Sequence, residues 1–587
     1  MYRAPLNELD FALNTVIGSD VLRDCGAYAD YSADLARSVL EEAARFAEGV
    51  LDPLYASGDR EGAHWTENGV TTPAGFKAAY EAFVAGGWPQ LRAATEHGGQ
   101  GLPVLLVTAV EELFASANVA FRLCPMLTQG AIEALQHCGS PDLKQRYLPK
   151  LVKGEWTGTM NLTEPQAGSD LSQVRTRAVP DGGNYRIHGQ KIYITYGEHD
   201  LTPNIVHLVL ARIDGAPAGV KGISLFVVPK FLVNDDGSLG ARNDLRCASI
   251  EHKLGINASP TCVMMYGEKD GAIGQLVGEA NRGLEYMFIM MNAARLSVGL
   301  EGYAGAERAY QRARAWALER VQGRAAGPAD RQPLPIAYHP DVRRMLLLMK
   351  SALEAMRYLA LYAAAQLDLG AQHASAETRA QARARGELLI PIVKGFCTET
   401  GLELCSVGVQ IHGGMGFIEA TGAAQSLRDA RISTIYEGTT GIQALDLLGR
   451  KLQKDGGKAL GALIADIRAE LSATAPAPSG DIGAAVGQAL ERLEAAARHL
   501  LASPDPAAGQ AVAVPFLRLA GTVLGGWLMA RAARRAAEAN GGATAFLAAK
   551  QQTAAFYAAH VLPASAGLLE EIVSGADAIL AVDPDVL

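Results

Sequence analysis

The 587-residue sequence lacks several features that would assign it directly to a class of protein. Its formal net charge of -9 argues against the basic footprint of a general nucleic-acid binder, although a local basic patch stays compatible with it. The seven cysteines include no Cys-x-x-Cys pair and lie mostly in apolar surroundings, which predicts reduced core thiols rather than disulfides or a zinc site. We therefore expect no nucleic-acid partner and no bound metal.

The sequence also has no uninterrupted run of about 18 apolar residues, the length that predicts a membrane span. Its first residues include acidic side chains and no long apolar stretch, unlike a secretory signal. No Gly-x-Gly-x-x-Gly motif follows a predicted strand, and strands do not alternate with helices, which excludes a Rossmann fold. We expect a cytoplasmic protein without a membrane span that binds any dinucleotide by another route.

The spacing of apolar residues divides the chain into helical, strand-rich, helical and again helical parts. Helical spacing is clearest at residues 33–55 and 104–135, with a Gly- and Pro-rich loop at 96–103 between them. Segments rich in β-branched residues follow at 205–213 and 222–231. A chain of this length forms roughly three to four domains.

The second half returns to helical patterns without proline at 295–320 and 341–369, which flank a loop-like segment at 323–340. A Pro-, Ala- and Ser-rich linker at 473–480 precedes a last helical part. The predicted domains are residues 1–156 (helical), 157–281 (β), 282–460 (helical) and 481–587 (a helical extension).

Two segments in the β part combine small, polar and aromatic residues. Asn161-Leu-Thr-Glu-Pro-Gln-Ala-Gly-Ser-Asp170 is compatible with a plain loop and equally with a backbone that closely approaches a flat ring or a phosphate. In Lys191-Ile-Tyr-Ile-Thr-Tyr-Gly197, strand alternation places Tyr193 and Thr195 on one face, as in any half-buried strand.

Three features stand out in the helical part that follows. Arg295 and Arg320 lie within or at the end of one predicted helix, where an arginine ordinarily makes a surface salt bridge or favours the helix dipole. Further on come Gln410-Ile-His-Gly-Gly-Met-Gly-Phe417 and Ile435-Tyr-Glu-Gly-Thr439. Taken alone, Glu437 would be a capping residue in a surface turn.

Together and in this order, these motifs resemble the acyl-CoA dehydrogenase family over residues of roughly 1 to 450. The extension is similar to that of larger bacterial members, the group that includes 3-methylmercaptopropionyl-CoA dehydrogenases. The resemblance implies an α+β fold with a helical N-terminal domain, a central β-barrel domain, a helical-bundle domain and the extra C-terminal helical domain. It also implies bound FAD.

The resemblance assigns further residues to the cofactor and to the substrate. Tyr193 would pack against the flavin and the Thr195 hydroxyl would reach its N5, while Arg320 and the Gln410 motif would contact the FAD of a neighbouring subunit. The cofactor-binding residues implied are Met160, Leu162, Thr163, Ser169, Tyr193, Thr195, Arg320, Gln410, Gly413, Gly414 and Thr439. The substrate-binding residues implied are Ser169, Asn292, Arg295 and Gly438.

Glu437 is the predicted catalytic base, because the α-hydrogen of a thioester is only modestly acidic and needs a carboxylate aimed at it. It follows Gln410 by 27 residues, as Arg320 follows Arg295 by 25, and both spacings agree with the family's commonest arrangement. The alternative position used by a minority of relatives is Ala294, which cannot accept a proton. Gly438 and Thr439 predict a tight turn and an N-cap, so Glu437 would directly precede a helix.

The implied activity is α,β-dehydrogenation of an acyl-CoA, as in fatty-acid β-oxidation, with electrons passed to an electron-transfer flavoprotein. An acyl-CoA oxidase that uses dioxygen is an alternative, as is a flavoprotein of this fold that serves as a binding or assembly factor. Contacts to a neighbour's FAD imply an oligomer, and the extension favours a homodimer. Gln166 and Gln322 depart from the family pattern, and His97 and His412 are interpreted as structural.

Overall fold

The apolar spacing in the first part of the chain forms helices, as predicted, in a computed structural model that describes residues 1–324, 332–473, 482–539 and 544–587. The segment at 33–55 forms two helices joined by a π-helical stretch. The segment at 104–135 is helical with a kink at Asn118, whose φ of -160° and ψ of 89° are not helical. The elements are α1 (Leu6–Phe11), α2 (Ala33–Phe46), α3 (Pro53–Glu61), β1 (His64–Thr66), β2 (Gly69–Thr71), α4 (Phe76–Ala85), α5 (Val104–Cys138) and α6 (Pro141–Val152).

The strands of the middle part follow, with β6 at the predicted 205–213. They are β3 (Thr157–Asn161), β4 (Arg177–Asp181), β5 (Asn184–Thr195), β6 (Ile205–Ile213), β7 (Ile223–Pro229), β8 (Phe231–Val233), β9 (Leu239–Arg242), β10 (Leu245–Ile250), β11 (Thr261–Tyr266) and β12 (Ala272–Val277). Eight of them form one sheet in the order β10-β11-β5-β12-β7-β6-β3, with β4 paired to both β5 and β6. The long strand β5 therefore pairs with three strands, β4, β11 and β12.

The remainder is largely helical. Its elements are α7 (Gly283–Glu319), β13 (Val321–Arg324), β14 (Pro333–Pro335), α8 (Pro340–Gln372), α9 (Ala376–His412), α10 (Ala423–Ala430), α11 (Thr440–Leu445), α12 (Lys458–Ser472), α13 (Ile482–Ala502), α14 (Pro506–Ala511), α15 (Ala513–Glu538), α16 (Ala545–His560), α17 (Ala564–Ser574) and α18 (Ala576–Leu580).

Two predictions of local structure were wrong. The segment interpreted as a loop at 323–340 contributes β13 and β14, which pair antiparallel with Val321 opposite Pro335; its residues 325–331 lie outside the described ones. The first part of the chain, read as helical throughout, also contains the hairpin β1–β2, whose Trp65 indole donates to the carbonyl of Cys247 on β10. Three-residue strands are too short to give a readable alternation.

The chain packs into two compact units, one of residues 45–103 and 117–297 and the other of residues 2–44, 104–116 and 298–587. The first unit contains the eight-stranded sheet, whose core includes Phe226, Met264 and Tyr266. The second contains the long helices α8 and α9 and the C-terminal extension. The four domain boundaries predicted from the sequence stay a prediction.

All seven cysteines are unpaired thiols, as predicted, and six of them are buried. Burial raises the pKa of the Cys405 thiol to about 12, which makes it a poor nucleophile. The helices Val104–Cys138 and Ala513–Glu538 are long and apolar enough to cross a bilayer by length and composition, but 83% of the apolar window in each is buried within the protein. Buried core helices have this same character.

The extension of the second unit is joined to the rest of that unit by a buried ion cluster. Lys550 on α16 is 1% exposed and donates to Glu8 near the N-terminus, and its Nζ lies 3.1 Å from a carboxylate oxygen of Glu354 on α8. Burial raises the pKa of Glu8, but Lys550 and Lys350 outweigh it and hold that pKa at about 2. Removing the Lys550 ammonium would leave the carboxylates of Glu8 and Glu354 with one shared cation, Lys350, in a largely buried site.

We therefore predict that Lys550→Met destabilises the protein by about 3–5 kcal/mol, the usual effect of breaking a buried ion pair from one side. Denaturant unfolding followed by circular dichroism measures this change. Lys451→Met is the matched control, because its partner Glu387 is 64% exposed and such surface pairs contribute about 0–1 kcal/mol. Equal stability of the two variants would contradict the prediction.

Candidate active site

Glu437 lies in a turn whose backbone is left-handed at two successive residues. Its φ is 54° and that of Gly438 is 89°. The first angle is unusual for a residue with a side chain, and such outliers concentrate at functional sites. Gly438 favours glycine because residues with a Cβ rarely adopt its φ, and a Cβ there would also lie 2.7 Å from Nε2 of Gln443. Glu437 is half-buried.

The turn leads directly into α11, as the sequence predicts. The Thr439 hydroxyl accepts a hydrogen bond of 3.2 Å from the backbone N–H of Ile442, so Thr439 is the N-cap of this helix. This bond fixes where the helix begins and hence where the residues before it lie.

Two buried side chains hold the carbonyls of the turn. The Nζ of Lys394, which is fully buried on α9, donates to the Gly438 carbonyl at 2.6 Å. The Nε2 of Gln443 donates to the carbonyls of Glu437 and Gly438 at 3.3 and 3.2 Å. Both carbonyls are thereby fixed by groups that themselves cannot move freely in a packed interior.

Further hydrogen bonds hold the residues on either side of Glu437. The Tyr436 hydroxyl donates to the buried carboxylate of Glu301 on α7. The Thr440 hydroxyl donates to Glu399 of α9 at 2.6 Å. The carboxylate of Glu437 therefore projects from a segment tethered to two long helices of the same unit.

Sequence reasoning missed Lys394, Gln443 and Glu301. A signal for Lys394 existed, because it is the one charged residue within the apolar run 388–396 of α9. Lysine is almost never fully buried unless it has partners, so its place in such a run predicts a buried partner. Gln443 and Glu301 have no comparable signal in the sequence.

In the first unit, the loop 162–170 follows β3 and is bonded to β5. The Ile192 N–H donates to the Thr163 carbonyl at 2.9 Å, and Lys191 donates to the Leu162 carbonyl at 2.9 Å. The loop that carries Leu162 and Thr163 and the strand that carries Tyr193 are thus brought together. Lys191 is part of the motif but had no role assigned from the sequence.

Tyr193 does not have the extended backbone that strand alternation assumes, so its placement on one face with Thr195 stays a prediction. Its φ is 60°, and the register against β11 shifts between the pairs Met264 with Lys191 and Cys262 with Ile194. Such a bulge inserts an extra residue and re-aims a side chain. Tyr193 is 61% exposed, whereas neighbouring Ile194 is buried.

The other predicted residues of this unit differ in exposure. Met160 is buried, with its Sδ 3.9 Å from the position a Cβ on Gly130 would take, while Ser169 is exposed and Thr195 is half-buried. Arg295 is 3% exposed, which argues against the surface salt bridge considered as its alternative. The side chain of Asn292 lies outside the described residues.

In the second unit, Arg320 and the Gln410 motif lie at the C-terminal ends of two neighbouring helices. Trp316 near the end of α7 stacks on His412 at the end of α9, with ring centroids 5.3 Å apart. Arg320 directly follows α7 and is exposed, as is Gln410. Gly413 and Gly414, also exposed, have no atom within 4 Å of where a Cβ would be.

His412 is held as part of this packing. Its Nδ1 lies 2.7 Å from the Gly408 carbonyl, and burial lowers the pKa of the imidazole. A neutral ring stacked on an indole is consistent with the structural role expected for His412.

Comparison with known protein families assigns the successive parts of the chain to one family. Four family models match in order: acyl-CoA dehydrogenase N-terminal domain at residues 34–155, middle domain at 159–267, C-terminal domain at 281–452, and an acetyl-CoA dehydrogenase C-terminal-like domain at 463–583. A 3-methylmercaptopropionyl-CoA dehydrogenase of Ruegeria pomeroyi is 49% identical over 99% of both chains. The chain belongs to the acyl-CoA dehydrogenase family.

Other relatives extend this comparison over the whole chain. The broad-specificity linear acyl-CoA dehydrogenase FadE5 of Mycobacterium tuberculosis is 34% identical over 96% of both chains. The solved structure of an acyl-CoA dehydrogenase from Bacillus anthracis, complexed with FAD, has the same fold, with a TM-score of 0.75, 21% identity and coverage of 100% of this chain and 94% of that one. The protein is an FAD-dependent enzyme that dehydrogenates acyl-CoA.

The residues present fit this cofactor. Tyr193 offers an exposed aromatic ring of the kind that packs on a flat heterocycle, and it lies on the strand bonded to Thr163. Within the described residues, the Thr163 N–H makes no hydrogen bond, so it is available to a ligand. The residue-by-residue assignments remain predictions.

The hydrogen bond from Lys394 to the Glu437 turn leads to a prediction for catalysis. We expect Lys394→Met to lower kcat by about 10- to 100-fold, since a misplacement of about 1 Å at a reacting group costs this order of rate. FAD content should change little, because the residue that Lys394 holds, Gly438, is not among the predicted cofactor residues. Because Gly438 is a predicted substrate-binding residue, KM is measured alongside kcat. Steady-state kinetics with flavin absorbance measures all three.

Lys454→Met, which alters an exposed lysine of the same unit, is the control for this variant. Wild-type kcat in Lys394→Met would show that the turn keeps its geometry without the ammonium group.

Proposed function

We propose that the enzyme converts an acyl-CoA to the 2-enoyl-CoA with Glu437 as the base that removes the α-proton. The single observation that carries this is the glutamate's left-handed backbone, held by Lys394 and Gln443 directly before an N-capped helix. A carboxylate fixed in this way can be aimed at one carbon without reorganisation during the reaction. The N-terminal capping role considered as the alternative does not require such a conformation, since N-cap residues typically have an extended backbone.

The chain's own groups account for the proton and for the orientation of the thioester. The Glu437 carboxylate would take the α-proton, and the backbone N–H of the same residue would hold the thioester oxygen, which stabilises the charge that develops there. FAD, when bound, supplies the acceptor for the hydride that leaves the β-carbon. Tyr193, Thr195 and the loop at Thr163 would hold the flavin.

We further propose that 3-methylmercaptopropionyl-CoA is among the substrates, and that electrons pass to an electron-transfer flavoprotein in the cytoplasm. The identity of 49% over 99% of both chains to a relative named for that thioester supports the substrate. Family membership supports the electron acceptor.

A homodimer is also part of this proposal. Met415 and Phe417 lie within the Gln410 motif and Ile418 directly follows it; all three are exposed, Phe417 to 86%. The segment is ordered, since the Thr421 hydroxyl donates to the carbonyls of Met415 and Ile418 at 3.0 and 2.8 Å. Exposed apolar side chains on a fixed segment are typical of an interface, and a second copy would cover them.

We predict that anaerobic titration with an acyl-CoA bleaches the flavin absorbance of the wild-type enzyme, and that Glu437→Gln abolishes this while retaining FAD. The amide keeps the size of the side chain but cannot accept the α-proton. 3-Methylmercaptopropionyl-CoA and a series of straight-chain acyl-CoAs are the thioesters to compare.

Bleaching that survives in Glu437→Gln would overturn the assignment of the base. Rapid hydrogen peroxide formation by the wild-type enzyme in air would indicate an acyl-CoA oxidase instead of a dehydrogenase. FAD retained with no bleaching by any thioester would favour a binding or assembly factor.

For the dimer, we predict that Phe417→Asp shifts the protein toward the monomer, because it places a charge in an apolar contact. Sedimentation velocity gives the molecular mass, and flavin absorbance gives the FAD content, which should fall if a neighbouring subunit completes the site. Val220→Asp, at a position 45% exposed in the other unit, is the control and should leave the mass unchanged. A wild-type mass for Phe417→Asp would contradict this interface.

A further inference from the structure

A buried ion pair in the first unit joins the two segments that are predicted to contact the flavin. Lys191 on β5 is 0% exposed and Glu164 in the loop after β3 is 3% exposed, and their charged atoms lie 2.8 Å apart. Lys191 comes two residues before Tyr193, and Glu164 directly follows Thr163. Each member of the pair is therefore next to a residue assigned to the cofactor.

The ammonium group of Lys191 also holds the backbone of the loop. Its Nζ donates to the Leu162 carbonyl at 2.9 Å, while the Ile192 N–H donates to the Thr163 carbonyl at 2.9 Å. Both carbonyls therefore point toward β5. In a trans peptide the N–H points opposite to the carbonyl, so the Thr163 N–H is turned away from β5.

Glu164 is fixed by several donors besides Lys191. Its carboxylate accepts from the Arg175 N–H at 2.7 Å, from the Thr176 hydroxyl at 2.6 Å and from the Gln166 amide at 2.6 Å. Burial raises the pKa of Glu164, but Lys191 and these hydrogen bonds outweigh it and leave the pKa below its ordinary value. The carboxylate is thus ionised and immobile.

The ammonium group of Lys191 is the charged partner of this carboxylate. Burial lowers the pKa of this ammonium to about 8 in spite of the attraction of Glu164. Its two acceptors, a carboxylate and a carbonyl, both favour the protonated form.

Stability alone does not account for such a pair. Taking two charges out of water costs several kcal/mol per ion, and well-packed apolar residues in their place are often as stable or more stable. What apolar residues cannot do is fix the direction of the Leu162–Thr163 peptide by a hydrogen bond to its carbonyl. The pair lies where the direction of the backbone matters. It holds the loop that carries Leu162 and Thr163, and it lies beside the bulge at which Tyr193 is exposed.

We propose that Lys191 and Glu164 are positioning residues that hold the Leu162–Thr163 peptide and Tyr193 in the geometry that binds the isoalloxazine ring of FAD. This inference rests on the predicted cofactor residues of the proposed function and deepens it. Neither side chain needs to contact FAD, since both act through the backbone of their neighbours.

The test measures FAD binding and not turnover, so it is independent of whether any acyl-CoA is a substrate. FAD is removed from wild-type, Lys191→Met, Glu164→Gln and the double variant, and the affinity for added FAD is measured by quenching of flavin fluorescence. The visible absorption of the rebound flavin reports on the contacts of its ring. Thermal unfolding of each apoprotein reports on stability separately.

We expect Lys191→Met and the double variant to bind FAD about tenfold or more weakly, the effect of losing about 1.4 kcal/mol of interaction, with a shifted flavin spectrum. The double variant should regain part of the apoprotein stability that Lys191→Met loses, because no buried carboxylate remains unpaired. A double variant that regains stability but not FAD affinity would show that the pair positions the flavin-binding residues and does not only stabilise the fold. Glu164→Gln, which keeps an acceptor for Thr176, should show a smaller effect of the same sign.

Lys230→Met is the matched control, because Lys230 pairs with the buried Glu198 in the same unit and touches none of the predicted flavin residues. It should lower stability without changing FAD affinity or the spectrum. Wild-type affinity and spectrum in the double variant would overturn the proposal. If Lys191→Met does not fold, the FAD affinity and flavin spectrum of Glu164→Gln and of the double variant test the proposal.

Discussion

Glu437 has a φ of 54°, a conformation that costs a residue with a Cβ about 1–2 kcal/mol, and the rest of the site serves to hold it there. The Lys394 ammonium and the Gln443 amide fix the carbonyls of the turn, and the Thr439 cap fixes the helix that follows. A surface turn free to choose its conformation would relax to a less strained one. The strain is therefore maintained by packing and hydrogen bonds on α9 and α11.

The two units use the same physical device at their predicted functional segments. In each, a fully buried lysine donates from Nζ to a backbone carbonyl: Lys191 to Leu162 in the first and Lys394 to Gly438 in the second. In each, a predicted site residue with a positive φ lies nearby, Tyr193 at 60° and Glu437 at 54°. A long flexible side chain ending in a strong donor can reach a carbonyl that no backbone N–H can reach, and burial then removes the competition from water.

Much of the architecture follows from local sequence patterns, but the hydrogen bonds that hold the predicted site segments do not. Apolar spacing predicts α8 nearly to both ends and α7 at its C-terminal end, although α7 begins at Gly283 and not at 295. Thr439 is readable as an N-cap because capping depends on adjacent residues. Strand alternation does not predict the bulge at Tyr193, because a bulge depends on the register with a partner strand. Lys394 is 44 residues from the carbonyl it holds, a contact that only the tertiary fold creates.

The most direct test of Glu437 as the base is hydrogen exchange at the α-carbon of the substrate. The holoenzyme is incubated anaerobically in D2O with 3-methylmercaptopropionyl-CoA or a straight-chain acyl-CoA that bleaches the flavin, and the thioester that remains is analysed by mass spectrometry. We expect deuterium at the α-position with the wild-type enzyme and none above the uncatalysed rate with Glu437→Gln. Exchange at the wild-type rate in that variant would show that another group removes the proton and would contradict the account.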